Sequence, residues 1–264
     1  MNTLKLLGTL LAALLFSIGL ACLISPFLSY PFFRILNRCF MVCALTGVYF
    51  FEKVSQKNPF WPAGLAKRPD TGFLIASGLT FAILSLLILT LVAYACHSVS
   101  LYFQPPKPKK LFYYTTSAIL IAFFEELFFR GFLFQTLKKD CSLRASILIS
   151  NLLYSAVHFI RPLLTKPEEL TSVWTEAPGL FLFGIFLTYA FLKTGSLYFS
   201  MALHGGFVFF MKMDGIFVNR LMVGHWLFGE ERLIGGIATW AIFLVAFPWV
   251  RWISRRRAYL PMQN

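Results

Sequence analysis

Two adjacent glutamates and an arginine interrupt an otherwise apolar and aromatic stretch of the chain. Glu125, Glu126 and Arg130 lie within residues 119–134, a run made mostly of Phe, Leu and Ile. An ionisable side chain at membrane depth costs about 2.5–3.5 kcal/mol on insertion scales, so such residues persist mainly where they face protein, water or a partner. The run therefore indicates a functional site.

The three charged residues are expected to play different parts. Glu126 and Arg130 are one helical turn apart, with the acid on the N-terminal side, which is the favourable order for an ion pair. Glu125 is offset from Glu126 by about 100° around the helix and has no partner one turn away. Glu125 is therefore the candidate to take a proton from water. A structural salt-bridge cluster between helices is the alternative interpretation of all three.

Two further apolar segments each carry one histidine. His158 shares a helical face with Asn151, and His204 shares one with Ser200. The paired glycines Gly205 and Gly206 follow His204 and allow close approach of a substrate or helix. Taken singly, each histidine is also explained by hydrogen bonding or packing between helices.

As a set, the glutamate and the two histidines predict a hydrolytic site. Helix bundles bring side chains from facing helices together in their core. Glu125 with His158 can orient and deprotonate a water, and His204 can donate to the oxyanion of a tetrahedral intermediate. This chemistry is peptide hydrolysis without a covalent intermediate.

The elements that must position these residues are membrane helices. The chain is 58% hydrophobic and 13% charged, with a mean hydropathy of +0.71, which is too apolar for a soluble globule. A span needs about 20 apolar residues. We predict an all-α, polytopic bundle of about eight transmembrane helices with an intramembrane polar cavity, in one integral membrane domain covering residues 1–264. The predicted helices cover residues 6–28, 36–51, 73–96, 111–135, 145–164, 178–192, 195–212 and 233–253. Residues 111–212 form the motif-bearing core.

The remaining sequence features fit a protein of the lipid bilayer. The net charge of +13 is expected to meet anionic headgroups and to set topology, so no nucleic-acid partner is predicted. Residues 193–195 predict a tight hairpin between two helices, and residues 162–178 predict a short interfacial helix or lid. The five cysteines have neither CxxC nor CxxH spacing and are expected to be small buried apolar residues, without disulfides or a metal.

Three motifs together resemble those of a known family. The motifs are EExxxR, YxxxH in place of FxxxH, and the histidine of HxxxN or HxxxD, carried here by Glu125, Glu126, Arg130, Tyr154, His158 and His204. In order and spacing they are similar to the CAAX-processing and bacteriocin-processing membrane proteases, also called the type II CAAX prenyl endopeptidase family. The resemblance covers roughly residues 111–211.

The resemblance implies an eight-helix bundle and a glutamate-dependent endopeptidase without metal or other cofactor. Carried over by position, Glu125 is the general base, His158 its partner on the water, and His204 an oxyanion donor. Glu126 and Arg130 are supporting residues. The implied substrate is a membrane-associated or C-terminal segment of a protein or peptide, with or without a lipid anchor. The expected location is the plasma (inner) membrane of a prokaryote.

One position departs from the family pattern. Val208 stands where the third motif has Asn or Asp, and valine neither donates nor accepts a hydrogen bond. Losing one oxyanion donor costs about 10²–10³ in rate. Asn151 and Ser200 are the supporting residues that could replace the missing donor, because each lies on a histidine-bearing face.

Three other functions are compatible with parts of the sequence. The substitution at Val208 favours a catalytically impaired scaffold or bacteriocin-immunity-type protein. A proton- or ion-coupled transporter could use Glu125 and the histidines as a relay, although the chain has no convincing internal repeat. Glu plus two His is also a common zinc-ligand set, but there is no HExxH and each histidine lies on its own predicted helix.

Overall fold

The structure is a bundle of helices that confirms the predicted all-α, polytopic membrane architecture. The computed structural model describes residues 2–56, 64–102, 105, 107–160, 163, 173–221, 225–229 and 233–256. The short helix or lid predicted for residues 162–178 lies largely outside the described residues, although its last part begins a long helix at Val173.

Ten α-helices follow one another along the described chain. They are α1 (Asn2–Ile24), α2 (Phe32–Gln56), α3 (Thr71–Ala95), α4 (Pro108–Glu126), α5 (Phe134–Asp140), α6 (Leu143–Val157), α7 (Val173–Thr194), α8 (Leu197–Phe217), α9 (His225–Phe228) and α10 (Ile237–Arg256). Short 3₁₀ turns occupy Ser25–Phe27 and Leu233–Gly235.

Five of these helices are long and apolar enough to cross a membrane within the described residues. They are α1, α2, α3, α7 and α10. Helix α6 is apolar but shorter. Helices α4 and α8 are not among these five, and they carry Glu125, Glu126 and His204 of the candidate site. The five apolar helices indicate an integral membrane protein.

A π-helical turn, Leu127–Leu133, joins α4 to α5. The sequence predicted one regular helix over residues 111–135, so the wider turn is a correction. A π turn inserts an extra residue into the helix and occurs frequently at functional sites. Here it directly follows Glu126 and contains Arg130.

Helix α6 ends earlier than the predicted segment 145–164. Its last residue is Val157, and His158 follows as the C-cap residue. The N–H groups of His158 and Phe159 donate to the carbonyls of Ser155 and Ala156, three residues back, so the helix closes in a tighter 3₁₀-type turn. His158 therefore lies at a helix end instead of inside a helix.

A two-stranded antiparallel ribbon, which the sequence did not predict, links two helix ends. Strand β1 (Val99–Leu101) follows α3 and pairs with β2 (Val218–Arg220) after α8, with Val99 opposite Arg220. The ribbon brings the end of α8 to the chain segment that precedes α4. Short strands of this kind satisfy backbone groups where the chain leaves its helices.

The hairpin between α7 and α8 is as tight as the sequence predicted. Gly195 adopts a left-handed backbone with φ of 59°, which suits a residue without a Cβ. The guanidinium of Arg68 donates to the carbonyls of Thr194 and Gly195 at 3.1 and 3.0 Å. Arg68 therefore fixes this turn from a different part of the chain.

The cysteines only partly match their predicted burial. All five are free, but Cys22 and Cys96 are exposed, so for these two the expectation of burial was wrong. Both lie on helices or helix ends whose outer faces meet lipid, where a small apolar side chain carries little cost.

Helices α3 and α8 approach each other closely through small residues. A Cβ added to Gly206 would come within 2.7 Å of the Ala82 Cβ, which is too close without movement of one helix. A Cβ added to Gly205 would meet the Ala122 Cβ at 3.5 Å, an ordinary contact. Because His204 precedes both glycines, this packing sets how deeply its ring enters the bundle.

We expect Gly206→Ala to destabilise the protein and Gly205→Ala to leave it nearly unchanged. Overpacking in a filled core costs about 1–3 kcal/mol. Thermal unfolding in detergent measures the difference, and the compensating pair Ala82→Gly/Gly206→Ala should recover much of the loss. Equal unfolding temperatures for the two single variants would contradict the proposed tight contact.

Candidate active site

Three separate segments bring one glutamate and two histidines together. Glu125 comes from the last turn of α4, His158 from the end of α6, and His204 from α8. The Glu125 Oε2 atom is 3.8 Å from His158 Nε2 and 3.7 Å from His204 Nε2. The side chains that the sequence selected therefore share one small region, with a carboxylate oxygen between two imidazoles.

A buried ion pair forms the inner side of this cluster. Glu126 Oε1 accepts from Arg130 Nη1 at 2.8 Å, and the two side chains are 0% and 1% exposed. The predicted ion pair between these residues is thus present, although the helix between them is a π turn. The same Glu126 oxygen also lies 2.8 Å from His204 Nδ1, a contact that the sequence did not reveal.

Arg130 is held by groups from several helices. Its Nη2 donates to the carbonyl of Gly184 at 2.9 Å, and its Nε donates to the Thr188 hydroxyl at 3.4 Å. Its guanidinium carbon lies 4.6 Å from the centre of the Tyr154 ring. These contacts satisfy the donors of a charge that would otherwise be costly to bury.

Asn151 and Ser200 make contacts that differ from the donor role considered for them. The Asn151 Oδ1 accepts from Arg130 Nη2 at 3.3 Å, and its Nδ2 donates to the Ile147 carbonyl at 2.8 Å. The Ser200 hydroxyl donates to the Leu197 carbonyl at 3.1 Å. In this geometry Asn151 supports the arginine, and a direct role for either residue with substrate stays a prediction.

In each histidine ring, the partner of Nδ1 determines that Nε2 is the nitrogen that faces Glu125. His158 Nδ1 is 2.7 Å from the Tyr154 carbonyl, which can only accept, so Nδ1 carries the hydrogen. His204 Nδ1 faces the Glu126 carboxylate and carries a hydrogen for the same reason. The Nε2 atoms of both rings are therefore the ones directed at Glu125.

The cluster has one accessible side and one closed side. The side chains of Glu125 and His158 are 20% and 28% exposed, whereas that of His204 is 3% exposed. The Glu125 Oε2 atom itself is buried and has no hydrogen-bond partner among the described residues. A buried carboxylate oxygen without a donor is suited to accept a hydrogen bond from water or substrate.

Helix α7 contributes residues that sequence reasoning missed. Gly184 and Thr188 bind Arg130, and the Phe183 ring packs edge-on against His204 with ring centres 5.3 Å apart. A Cβ at position 184 would lie 2.6 Å from Asn151 Oδ1, so the glycine permits α6 to approach. In the sequence, only a glycine and a threonine in an apolar segment point to this role of α7, and neither residue type is specific for it.

The described residues contain no group of three or more His, Cys, Asp or Glu side chains arranged to hold a metal ion. The absence of a metal requirement stays a prediction, to be tested by activity in the presence of a chelator.

Comparison with known proteins supports the motif-based assignment. Residues 107–210 match the family model described as Type II CAAX prenyl endopeptidase Rce1-like. Over this segment the chain is similar to that family. The matched residues include Glu125, His158 and His204, and they agree with the range of 111–211 over which the motifs resemble the family. No curated protein and no solved structure matches the chain.

The similarity over this segment indicates a general class of activity. The family is one of proteases, which supports a peptidase that acts on a protein or peptide at the membrane. The roles of individual residues do not follow from the match and are argued below from geometry.

We expect Arg130→Met to destabilise the protein strongly, because it leaves the Glu126 carboxylate buried without its partner. Breaking one side of a buried ion pair costs about 3–5 kcal/mol. Thermal or denaturant unfolding in detergent measures the loss, with exposed Arg144→Gln as the control. In a double-mutant cycle, Glu126→Gln/Arg130→Met should cost less than the sum of the single changes. Additive losses would show that the two charges are not coupled.

Proposed function

We propose that this protein is an intramembrane endopeptidase in which Glu125 and His158 activate a water molecule. The supporting observation is the convergence of Glu125 Oε2 with the Nε2 atoms of His158 and His204 at 3.8 and 3.7 Å. These separations exceed a direct hydrogen bond and leave room for a water oxygen that bridges Glu125 Oε2 and a histidine Nε2.

In the first step the water loses a proton as its oxygen attacks the scissile carbonyl carbon. Glu125 accepts that proton, and His158 Nε2 accepts the second hydrogen bond that orients the water. The Tyr154 carbonyl at His158 Nδ1 supports this part, because it keeps the Nε2 lone pair free. The product of the step is a tetrahedral intermediate with a negative oxygen.

His204 stabilises that oxyanion through Nε2. To donate, the ring must carry hydrogen on both nitrogens, with the Nδ1 hydrogen bonded to the Glu126 carboxylate and the Nε2 hydrogen directed at the oxyanion. Collapse of the intermediate breaks the C–N bond, and the proton held by Glu125 passes to the leaving amine. Glu126 is thus a positioning residue that acts through His204.

The substrate class follows from the location of the cluster. Residues within a helix bundle act on a segment that enters the membrane, so the substrate is a membrane-associated or C-terminal segment of a protein or peptide, with or without a lipid anchor. The proposed location is the plasma membrane of a prokaryote. Pull-down with an inactive Glu125→Gln variant would identify the substrate.

Val208 supports a second candidate function, that of a scaffold or immunity-type protein with impaired catalysis. The position one turn after His204 holds an apolar side chain where the family has an amide or carboxylate. For this candidate, Glu125→Gln would leave the cellular phenotype intact. If the protein is a protease, Glu125→Gln would abolish the cellular phenotype.

We expect Glu125→Gln to lower the cleavage rate by at least about 10²-fold, because an amide cannot take a proton from water. The amide has nearly the shape of the carboxylate, and Oε2 has no hydrogen-bond partner to lose among the described residues. Stability should therefore stay near that of the parent. The control is exposed Asp140→Asn. Full cleavage by purified Glu125→Gln would overturn the assignment of the base.

We expect Val208→Asn to raise the cleavage rate, by up to about 10²-fold, if the added amide completes the oxyanion site. Val208→Ala is the matched control because it changes the side chain without adding a donor. The comparison is made at saturating substrate, since an oxyanion donor acts on kcat. An unchanged rate in Val208→Asn would mean that the donor set does not include this position.

A further inference from the structure

A groove separates α2 from α4 on the outside of the bundle. The two helices do not pack closely together, and the space between them has a volume of about 250 Å³. Most of its surface is apolar, with a guanidinium and three hydroxyl groups among the lining side chains. The lining residues are Arg38, Met41, Val42, Tyr113, Thr116, Ser117, Leu120 and Phe124.

Three cations gather around one end of this groove. Arg38 lines the groove itself, and the Lys212 ammonium lies within electrostatic range of Arg38. The Nζ atoms of Lys212 and Lys110 each lie 5.7 Å from the centre of the Tyr114 ring. None of the three cations forms an ion pair with a carboxylate in the described part of the chain.

The three cations each lie within about two turns of a helix end. Arg38 is about 9 Å from the start of α2, and Tyr114 is about 9 Å from the start of α4, at 1.5 Å per residue. Lys212 is a similar distance from the end of α8, which the β1–β2 ribbon brings next to the segment before α4. Long cationic side chains this close to a helix end can reach lipid headgroups at the interface.

The groove below the cations is exposed and apolar. Val42 is 56% exposed and Leu120 is 43% exposed. On membrane helices such exposed faces meet acyl chains. Like charges placed together repel one another, and the repulsion is larger near a low-dielectric medium, so an anion from outside the described residues would stabilise the cation cluster.

The geometry points to a binding site for an anionic glycerophospholipid in the groove between α2 and α4. Its phosphodiester lies against Arg38 and Lys212, where the planar guanidinium can donate two parallel hydrogen bonds to phosphate oxygens. One acyl chain lies along Val42 and Leu120 and ends near Phe124. Basic pockets between transmembrane helices are suited to anionic lipid headgroups. This inference does not depend on the proposed peptidase activity.

Lipid retention by the purified full-length chain tests the proposal. Native mass spectrometry in detergent compares phosphatidylglycerol with phosphatidylcholine of the same acyl chains. We expect the parent protein to retain phosphatidylglycerol at least about tenfold better. Arg38→Gln/Lys212→Gln should abolish that preference. The control Lys139→Gln/Arg144→Gln removes the same charge from exposed residues at the α5–α6 junction and should keep the preference.

A second variant tests the apolar part of the site separately from the charges. Val42→Trp fills the groove but leaves all three cations, so it should also weaken retention of phosphatidylglycerol. Thermal unfolding of each variant shows whether it is folded.

Four outcomes overturn the proposal. They are equal retention of the two lipids by the parent, loss of preference in the control variant, full displacement by glycerol phosphate, and full displacement by a peptide with a free C-terminal carboxylate. Displacement by glycerol phosphate would indicate an anion site that does not bind a lipid chain. Displacement by the peptide would indicate a substrate site. Because no cleavage is measured, these results are separate from failure of the proposed function.

Discussion

The buried ion pair between Glu126 and Arg130 is the constraint on which the rest of the site depends. Two full charges lie in an apolar interior, and their desolvation is offset by the partners of Arg130 and of Glu126 Oε1, since Glu126 Oε2 has no hydrogen-bond partner among the described residues. Arg130 therefore binds the carbonyl of Gly184 and the hydroxyl of Thr188 as well as its glutamate. Because the hydrogen-bond donors of Arg130 need acceptors on several helices, its contacts connect α4, the π turn, α6 and α7 into one unit.

This same pair divides the site into a fixed side and an accessible side. Glu126 uses one oxygen for both Arg130 and His204, so the orientation of that histidine is set by the buried network. Glu125 and His158 are more exposed, and His158 is anchored only through the Tyr154 carbonyl. This division into a fixed side and an accessible side fits the water activation and oxyanion stabilisation that we propose.

Much of the site was predictable because charge is expensive in a membrane. The cost of burying Glu125, Glu126 and Arg130 singled them out in an apolar run, and the one-turn spacing of the last two predicted their ion pair. The two histidines were found by the same reasoning, since each interrupts an apolar segment. The tight turn at Gly195 was also predictable, because too few residues separate the two helices for a longer loop.

The sequence alone therefore determined that the chain is a membrane helix bundle, which polar residues belong to its centre, and which of them pair within one helix. Only the tertiary structure decided the contacts between helices: the bond from Glu126 to His204, the contribution of Gly184 and Thr188, and the groove beside Arg38. Local periodicity fixes the direction of a side chain around its own helix but not the distance or rotation of the neighbouring helix. The π turn after Glu126 also changes the direction of the side chains that follow it on the helix. Its extra residue is stabilised by packing and leaves no mark in the hydrophobic pattern of the sequence.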